Sequence, residues 1–360
     1  MPIPTVQTIS FREIRLGPWA IHGFRTTDIF TEVFGGEMRL MRLATSVPPR
    51  AALHFSKGLK ASRRIPGRAA VDPRRGPKPD VLFANPQDVG DLNLLAMSRD
   101  DWIDCGTRKI LLINEAWESD VVSWGPAQLE VIDAFDVVAC QFEQASAALQ
   151  RRIGRTVLHS AIGIDVLDAP WSPEPPIGVL NLGRRAEGQH DALMAWADDT
   201  GGWYHFDTMR ATEANDVFLH RRNTARLFAE SAVSVCNFAR FNDESRRGNY
   251  TEIGTRYPET LAAGAVAAGV HAEGELFDRE YGGLEGIVDL PLEGATVDEI
   301  EALVQLGRRR DVRAANRRRA LEQLDIAHRI AELLDTVGID RPDGLRDRLG
   351  ALRDAAAATA

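Results

Sequence analysis

The sequence predicts an α/β protein with two doubly wound parallel sheets, and three observations carry that expectation. From Asp80 onward, short apolar runs alternate with helix-period stretches, the pattern of repeated βαβ units. The alternation resumes beyond Pro170-Trp171-Ser172-Pro173-Glu174-Pro175-Pro176, a run that reads as an extended, semi-rigid linker. A chain of 360 residues is also long for one core and comfortable for two. The expected division is 1–169, 170–340 and a helical tail over 341–360.

In the first domain, Val6 to Ile14 reads as a strand and Leu16-Gly17-Pro18 as a turn. Trp19 to Arg25 then leads into Thr26-Thr27-Asp28, a helix start before Ile29, Val33 and Phe34. His22 is the one residue of that connection suited to proton transfer near neutral pH. Beside Trp and Phe, a lone histidine also reads as a packing residue. Strands are expected at Val81 to Ala84, Lys109 to Ile113, Phe135 to Cys140 and Thr156 to His159. Helices run through Leu92 to Met97, Leu129 to Ala134 and Ala145 to Ile153. Ligands of such sheets bind beyond the carboxyl ends of strands, which makes Glu115 and Trp117 candidates for a cleft wall.

The second domain opens with a strand, Ile177 to Leu182, followed by Gly183-Arg184-Arg185 and a helix over His190 to Ala197. A cation between a strand's carboxyl end and a helix suits phosphate, which marks Arg184. Trp203 to Phe206, Ala232 to Phe238 and Gly286 to Leu290 read as strands, and His220 to Phe228 as a helix. Arg240 follows the second of these strands and is a further phosphate candidate. Val297 to Leu334 is largely helical, and its arginine clusters (308–310 and 317–319) read as a solvated face because acidic residues are interspersed. Leu345 to Ala358 is a final amphipathic helix with an Ala-rich end expected to fray.

The most informative stretch is Tyr250 to Val270, YTEIGTRYPETLAAGAVAAGV. Gly254 precedes Thr255, a residue type that caps helices through its hydroxyl. Pro258 then falls in the first turn, where its missing N–H costs little. Gly264 stops the helix, and Ala265 to Val270 reads as a buried strand. Arg256 and Glu259 sit in the first turns: one offers a fork of donors for phosphate, the other accepts from sugar hydroxyls.

This segment resembles the donor motif of nucleotide-sugar glycosyltransferases with the GT-B fold, in the retaining-type group with the Glu-x7-Glu signature. Glu259-Thr260-Leu261-Ala262-Ala263-Gly264 is similar to that family's Glu-Ala-Met-Ala-x-Gly, and Gly254 stands at the family's glycine. The family's first glutamate falls on Thr251, with Glu252 one place late. Gly183-Arg184 resembles the family's Gly-Arg, whereas no lysine follows before the helix; Arg185 and Gln189 occupy that region. His159 to Asp165 is similar to the stretch that closes the family's first domain.

The resemblance implies two Rossmann-like domains facing across a cleft, with the acceptor in the first and the donor in the second. It implies transfer of a sugar from a nucleotide diphosphate sugar to a small-molecule, glycan or lipid-linked acceptor, by a bacterial-type enzyme of carbohydrate biosynthesis. Donor-binding residues would be Gly183, Arg184, Arg185, Arg240, Gly254, Thr255, Arg256, Glu259 and Thr260. Catalysis would fall to His22, Arg184 and Arg256, and His22, Glu115 and Trp117 would lie on the acceptor side. The nucleotide sugar is a co-substrate, and neither a further cofactor nor a metal is expected. A base such as His22 suits inversion, whereas the signature implies retention. Alternatives are a GT-B scaffold without catalysis that serves as a binding subunit, and a nucleic-acid-modifying glycosyltransferase.

A net charge of −9 argues against nucleic acid as a default partner. Residues 1–80 nevertheless hold fourteen Lys and Arg against six Asp and Glu, concentrated between Lys57 and Lys78. That run reads as a basic surface loop or as a patch for an anionic acceptor or membrane surface. Three widely spaced cysteines, with neither a secretory pattern nor a long apolar run, give the expectation of a cytoplasmic protein.

Overall fold

A computed structural model describes residues 4–15, 17, 20–43, 69–207 and 216–359. Leu16, Pro18, Trp19 and residues 57–68 of the basic run lie outside the described residues. The chain forms two compact units, one of Met1–Ala161, Glu213–Val217 and Arg329–Arg348, the other of Ile162–Thr212, Phe218–His328 and Leu349–Ala360.

The first unit carries seven described strands: β1 (Val6–Ser10), β2 (Glu37–Leu43), β3 (Ala69–Val71), β4 (Val81–Ala84), β5 (Arg108–Ile113), β6 (Val137–Cys140) and β7 (Leu158–His159). Their order is β3-β2-β1-β4-β5-β6-β7, parallel throughout except for β3, which pairs antiparallel with β2 at the edge. Strands β1, β4 and β6 are buried along their whole length, as expected of parallel strands covered on both faces. The connecting helices are α1 (Ile21–Phe34), α2 (Val89–Met97), α3 (Glu118–Ser123), α4 (Pro126–Asp133) and α5 (Glu143–Ile153). Strand order reverses between β1 and β4, and Arg15 ties the two sides together there. Its guanidinium is buried, with Nε 2.6 Å from Asp91 Oδ1 and Nη2 paired with Asp88, the N-cap of α2.

One expectation fails here, and one strand goes unanticipated. Helix α1 starts at Ile21, so Thr26 and Thr27 do not begin it. Their hydroxyls donate back to the carbonyls of His22 and Gly23, four residues earlier. Strand β2, with sequence EMRLMRL, had no sequence signal strong enough to mark it, because arginines alternate with its apolar residues.

The second unit has five described strands: β8 (Ile177–Asn181), β9 (Tyr204–Phe206), β10 (Ser231–Val235), β11 (Val266–Gly269) and β12 (Ile287–Asp289). All are parallel, in the order β12-β11-β10-β8-β9. Around them lie α6 (Glu187–Thr200), α7 (Val217–Ala229), α8 (Glu244–Arg247), α9 (Arg256–Ala262), α10 (Glu275–Tyr281), α11 (Val297–Arg308) and α12 (Arg310–Arg319). A π-turn over Ala320–Leu324 leads to α13 (Ile326–Val337) and then α14 (Asp343–Ala358). Val179, Leu193, Trp196, Val233, Val266, Ile300 and Val304 form the core on one face of this sheet. Each unit is thus a Rossmann-like, doubly wound α/β body.

The expected boundaries shift for identifiable reasons. Ile162 to Ala169 joins the second unit because Asp325 holds it: Val166 N donates to Asp325 Oδ2 at 2.8 Å, and Ile164 bridges to Asp325. Residues 329–348 return to the first unit, where Gly344 lies so close to Val33 that an added Cβ would stand 2.6 Å from its carbonyl oxygen. The Ala-rich end is not a loose tail, since α14 buries Leu345 and Leu352 completely and runs to Ala358.

The arginine-rich helix is also not wholly a solvated face. Arg308, Arg309 and Arg310 are exposed, but Arg313 and Arg317 are buried. Among the described residues no helix is long and apolar enough to cross a membrane.

Candidate nucleotide-sugar site

In the second unit the strand order reverses between β8 and β10, and the crevice beyond their carboxyl ends is where such sheets bind ligands. Gly183 follows β8 with φ +90°, a conformation glycine adopts without a steric penalty. Its amide donates to Asp207 Oδ1 at 3.1 Å, so its contribution is the missing side chain. A Cβ added there would stand 3.9 Å from Nη2 of Arg256, which reaches this turn from α9. Arg184 is exposed on the same turn. Arg185 is half-buried, donates to the Asp207 carbonyl at 2.6 Å and lies over the Phe206 ring at 5.2 Å.

Arg256 and Glu259 face each other one turn apart, with Nη1 2.9 Å from Oε2. Both are about one-third exposed, and the Arg256 guanidinium lies over Phe228 at 5.4 Å. Gly254 is half-buried beside Ala239. Arg240, just past β10, is the one non-glycine residue with positive φ (+55°) among the described residues, and its guanidinium pairs with Asp243 at 3.0 Å. A bulky residue held in the left-handed region costs energy and is found preferentially at working sites. Arg184 follows β8, Arg240 follows β10 and Arg256 opens the helix before β11, so topology puts all three on the carboxyl side of the second sheet.

Two expectations about this segment, the Thr255 cap and donor contact by Thr260, need correction. Thr255 stands at the N-cap in a helical conformation and makes no side-chain cap hydrogen bond. Helix α9 has only seven residues, so the positive character of the site comes from its guanidinium groups rather than from an extended helix dipole. Thr260 is fully buried, with Oγ1 3.1 Å from Cys236 Sγ, and cannot meet a donor. Burial pushes the Cys236 thiol up to about 11, which keeps it protonated and unreactive.

At the two positions where the sequence departs from the motif it resembles, the residues present have structural employment. Gln189 is fully buried and exchanges amide hydrogen bonds with Asn237, at 2.9 and 3.2 Å. Thr251 Oγ1 accepts from the backbone N–H of Glu273 at 2.9 Å. Asp207 and Phe228 escaped sequence reasoning. Asp207 carried a signal, since it follows a strand as Arg184 does; Phe228 carried none.

The first unit places its candidates separately. His22 lies in the first turn of α1, where Gln141 Nε2 approaches its Nε2 at 2.9 Å. With Gln141 donating, that ring nitrogen is the accepting one. Glu115 is half-buried just past β5. Trp117 is fully buried and packs on Phe142 with centroids 4.7 Å apart, so it is a core residue and not a cleft wall.

No family model matches this chain, and no curated protein matches it. Among solved structures it is similar to the pneumococcal O-GlcNAc transferase GtfA in complex with UDP and GlcNAc, with 12% identity over 79% of this chain and a TM-score of 0.40. The chain spans 58% of that protein's length. It is similar to an α,α-trehalose-phosphate synthase (UDP-forming) from Burkholderia vietnamiensis, with 11% identity, a TM-score of 0.41, and coverage of 90% of this chain and 82% of that one. A UDP-GlcNAc 2-epimerase from Methanocaldococcus jannaschii matches with 9% identity, a TM-score of 0.40, and coverage of 92% and 99% respectively.

Proposed function

We propose that the protein is a glycosyltransferase that moves a sugar from a nucleotide diphosphate sugar to an acceptor hydroxyl. The observation that carries this reading is the approach of Arg256 to the Gly183 turn at the strand-order reversal of the second unit. Arg256 and Arg184 would grip the donor diphosphate, with Arg240 as a further cation and Arg185 buttressing the turn through Asp207. Glu259, held by Arg256, would accept from sugar hydroxyls.

In the reaction the acceptor oxygen bonds to the anomeric carbon as the bond from that carbon to the phosphate oxygen breaks. The acceptor proton is released to solvent, and the nucleoside diphosphate departs with the bonding electron pair and the negative charge. Guanidinium groups fixed around that diphosphate stabilise the charge as it develops, without need of a metal. We assign acceptor recognition to the first unit, at the edge where His22, Gln141 and Glu115 lie. A binding protein without catalysis is the second reading, favoured by the engagement of Thr251 with Glu273 where the family has a glutamate.

The test is calorimetric binding of UDP, GDP, ADP and their sugar conjugates to wild type, Arg256→Ala and Glu259→Ala, followed by assay for nucleoside diphosphate release. Binding of one nucleotide class, weakened about tenfold or more by Arg256→Ala, is expected. No binding by well-folded wild type overturns the reading. Binding without release or transfer across an acceptor panel selects the second one.

A further inference from the structure

We infer that Arg313, which lies beneath the candidate site, is a positioning residue that holds Arg256 on its aromatic platform; this rests on the donor-site reading above. Arg313 is fully buried on α12 and donates to five backbone carbonyls. Nη2 reaches Ala229 at 3.0 Å and Ala263 at 3.1 Å. Nη1 reaches Ser231 at 2.9 Å and Gly307 at 3.2 Å, and Nε reaches Ser172 at 2.7 Å.

Ala229 ends α7 and Ala263 caps α9. Those two helices bear Phe228 and Arg256, the ring and the cation that meet at 5.4 Å. One guanidinium nitrogen thus joins the carboxyl ends of the two elements whose separation sets that contact. The last carbonyls of a helix have no partners within it, and a cation is favoured beside them. The neighbours of Arg313 reinforce the grip on α9: Arg317 Nη1 donates to Ala262, and Asn316 Nδ2 to Ala265 at 2.8 Å. Between them Gly264, at φ +75°, passes so close that an added Cβ would lie 3.0 Å from the Arg313 carbonyl oxygen.

A lysine cannot do this work. It is a point charge with three donors on one atom, whereas the planar fork spans five carbonyls from four chain segments at once. Arg313 touches no ligand in this scheme and acts only through Arg256.

The test uses the full chain labelled with 15N-arginine, as wild type, Arg313→Lys and Phe228→Leu. The Arg256 Nε–H resonance is assigned by its loss in Arg256→Lys, and UDP, GDP and ADP are titrated into each protein. In folded Arg313→Lys the Arg256 resonance is expected to move, and nucleotide affinity to fall about tenfold. An unmoved resonance with affinity within about threefold of wild type overturns the proposal. If Arg313→Lys does not fold, Phe228→Leu decides: it leaves the carbonyl network intact and removes the ring, so the same resonance must move. An unmoved resonance in that variant also overturns the proposal. Failure of wild type to bind any nucleoside diphosphate would refute the donor-site reading, while the resonance comparison would still decide the role of Arg313.

Discussion

Gln189 and Asn237 clasp each other through both amide groups, one from the first turn of α6 and the other from the end of β10. Gln189 Nε2 also donates to the Leu290 carbonyl at 2.8 Å, and Asn237 Oδ1 accepts from the Val270 amide at 2.9 Å. This neutral clasp joins the connections after β10, β11 and β12 behind the candidate site. A cation at position 189 would be fully buried among these amide and carbonyl groups.

Replacing Gln189 with lysine should therefore destabilise the protein by about 3 kcal/mol or more without improving nucleotide affinity, because a buried charge would displace a satisfied amide. Urea unfolding measures the first part and calorimetry the second. Wild-type stability in the variant would mean that the site is more open than its burial indicates.

Gly264→Ala should cost about 1–3 kcal/mol, since φ +75° strains any side-chain-bearing residue and the Arg313 carbonyl blocks the new methyl. Thermal unfolding reads this directly. Gly35→Ala, at φ +59° with open space around it, is the control for backbone strain alone and should cost less.

Arg15→Ala would leave Asp91 fully buried and without its ion pair, at a cost of about 3–5 kcal/mol. Burial already pushes the Asp91 carboxyl up, and Arg15 opposes that effect. Denaturant unfolding of the single variant and of Arg15→Met/Asp91→Leu separates the two contributions. The double variant should recover part of the loss, because no charge is left fully buried, although the more exposed Asp88 also loses its partner.

His271 should make the protein acid-sensitive. Burial lowers its pKa below the ordinary 6.5, while the Asp289 carboxylate 3.6 Å from Nε2 works in the opposite direction. Its Nδ1 lies 3.1 Å from the Tyr257 hydroxyl, which stays protonated because burial raises its pKa. The unfolded chain therefore takes up the proton first, so stability falls as pH drops from about 6.5 through the folded-state value and is unaffected by this group above that window. Unfolding free energies between pH 7.5 and 5 should show a shallower slope in His271→Gln than in wild type; equal slopes would exclude the histidine as the cause.

Much of the framework was legible without coordinates. Val81 to Ala84 is apolar throughout, and so are Ile110 to Ile113 and Val137 to Cys140; each becomes a parallel strand with little or no exposure. Such runs identify themselves because covering both faces of a strand removes any polar alternation. The approach of Arg256 to the Gly183 turn was legible for a similar reason: a turn after a strand and a motif after the next strands must meet where the strand order reverses.

The misread residues share a different cause. Arg317 sits in a run with the half-buried Arg318 and Arg319, and Thr260 directly follows Glu259 of the motif; only the packing of α12 against α9 separates the buried from the exposed. Trp117 follows a strand as Glu115 does, yet the ring of Phe142 claims it for the core.

The sequence by itself determined the α/β alternation, the two-unit organisation and the placing of cations on the carboxyl side of one sheet, because periodicity and strand ends are local properties. Tertiary structure alone decided which arginines reach that side and which hold it together from behind. Burial of a long cation depends on finding several carbonyls at one point, and the carbonyls around Arg313 come from residues 172, 229, 231, 263 and 307. No local pattern brings those five positions together.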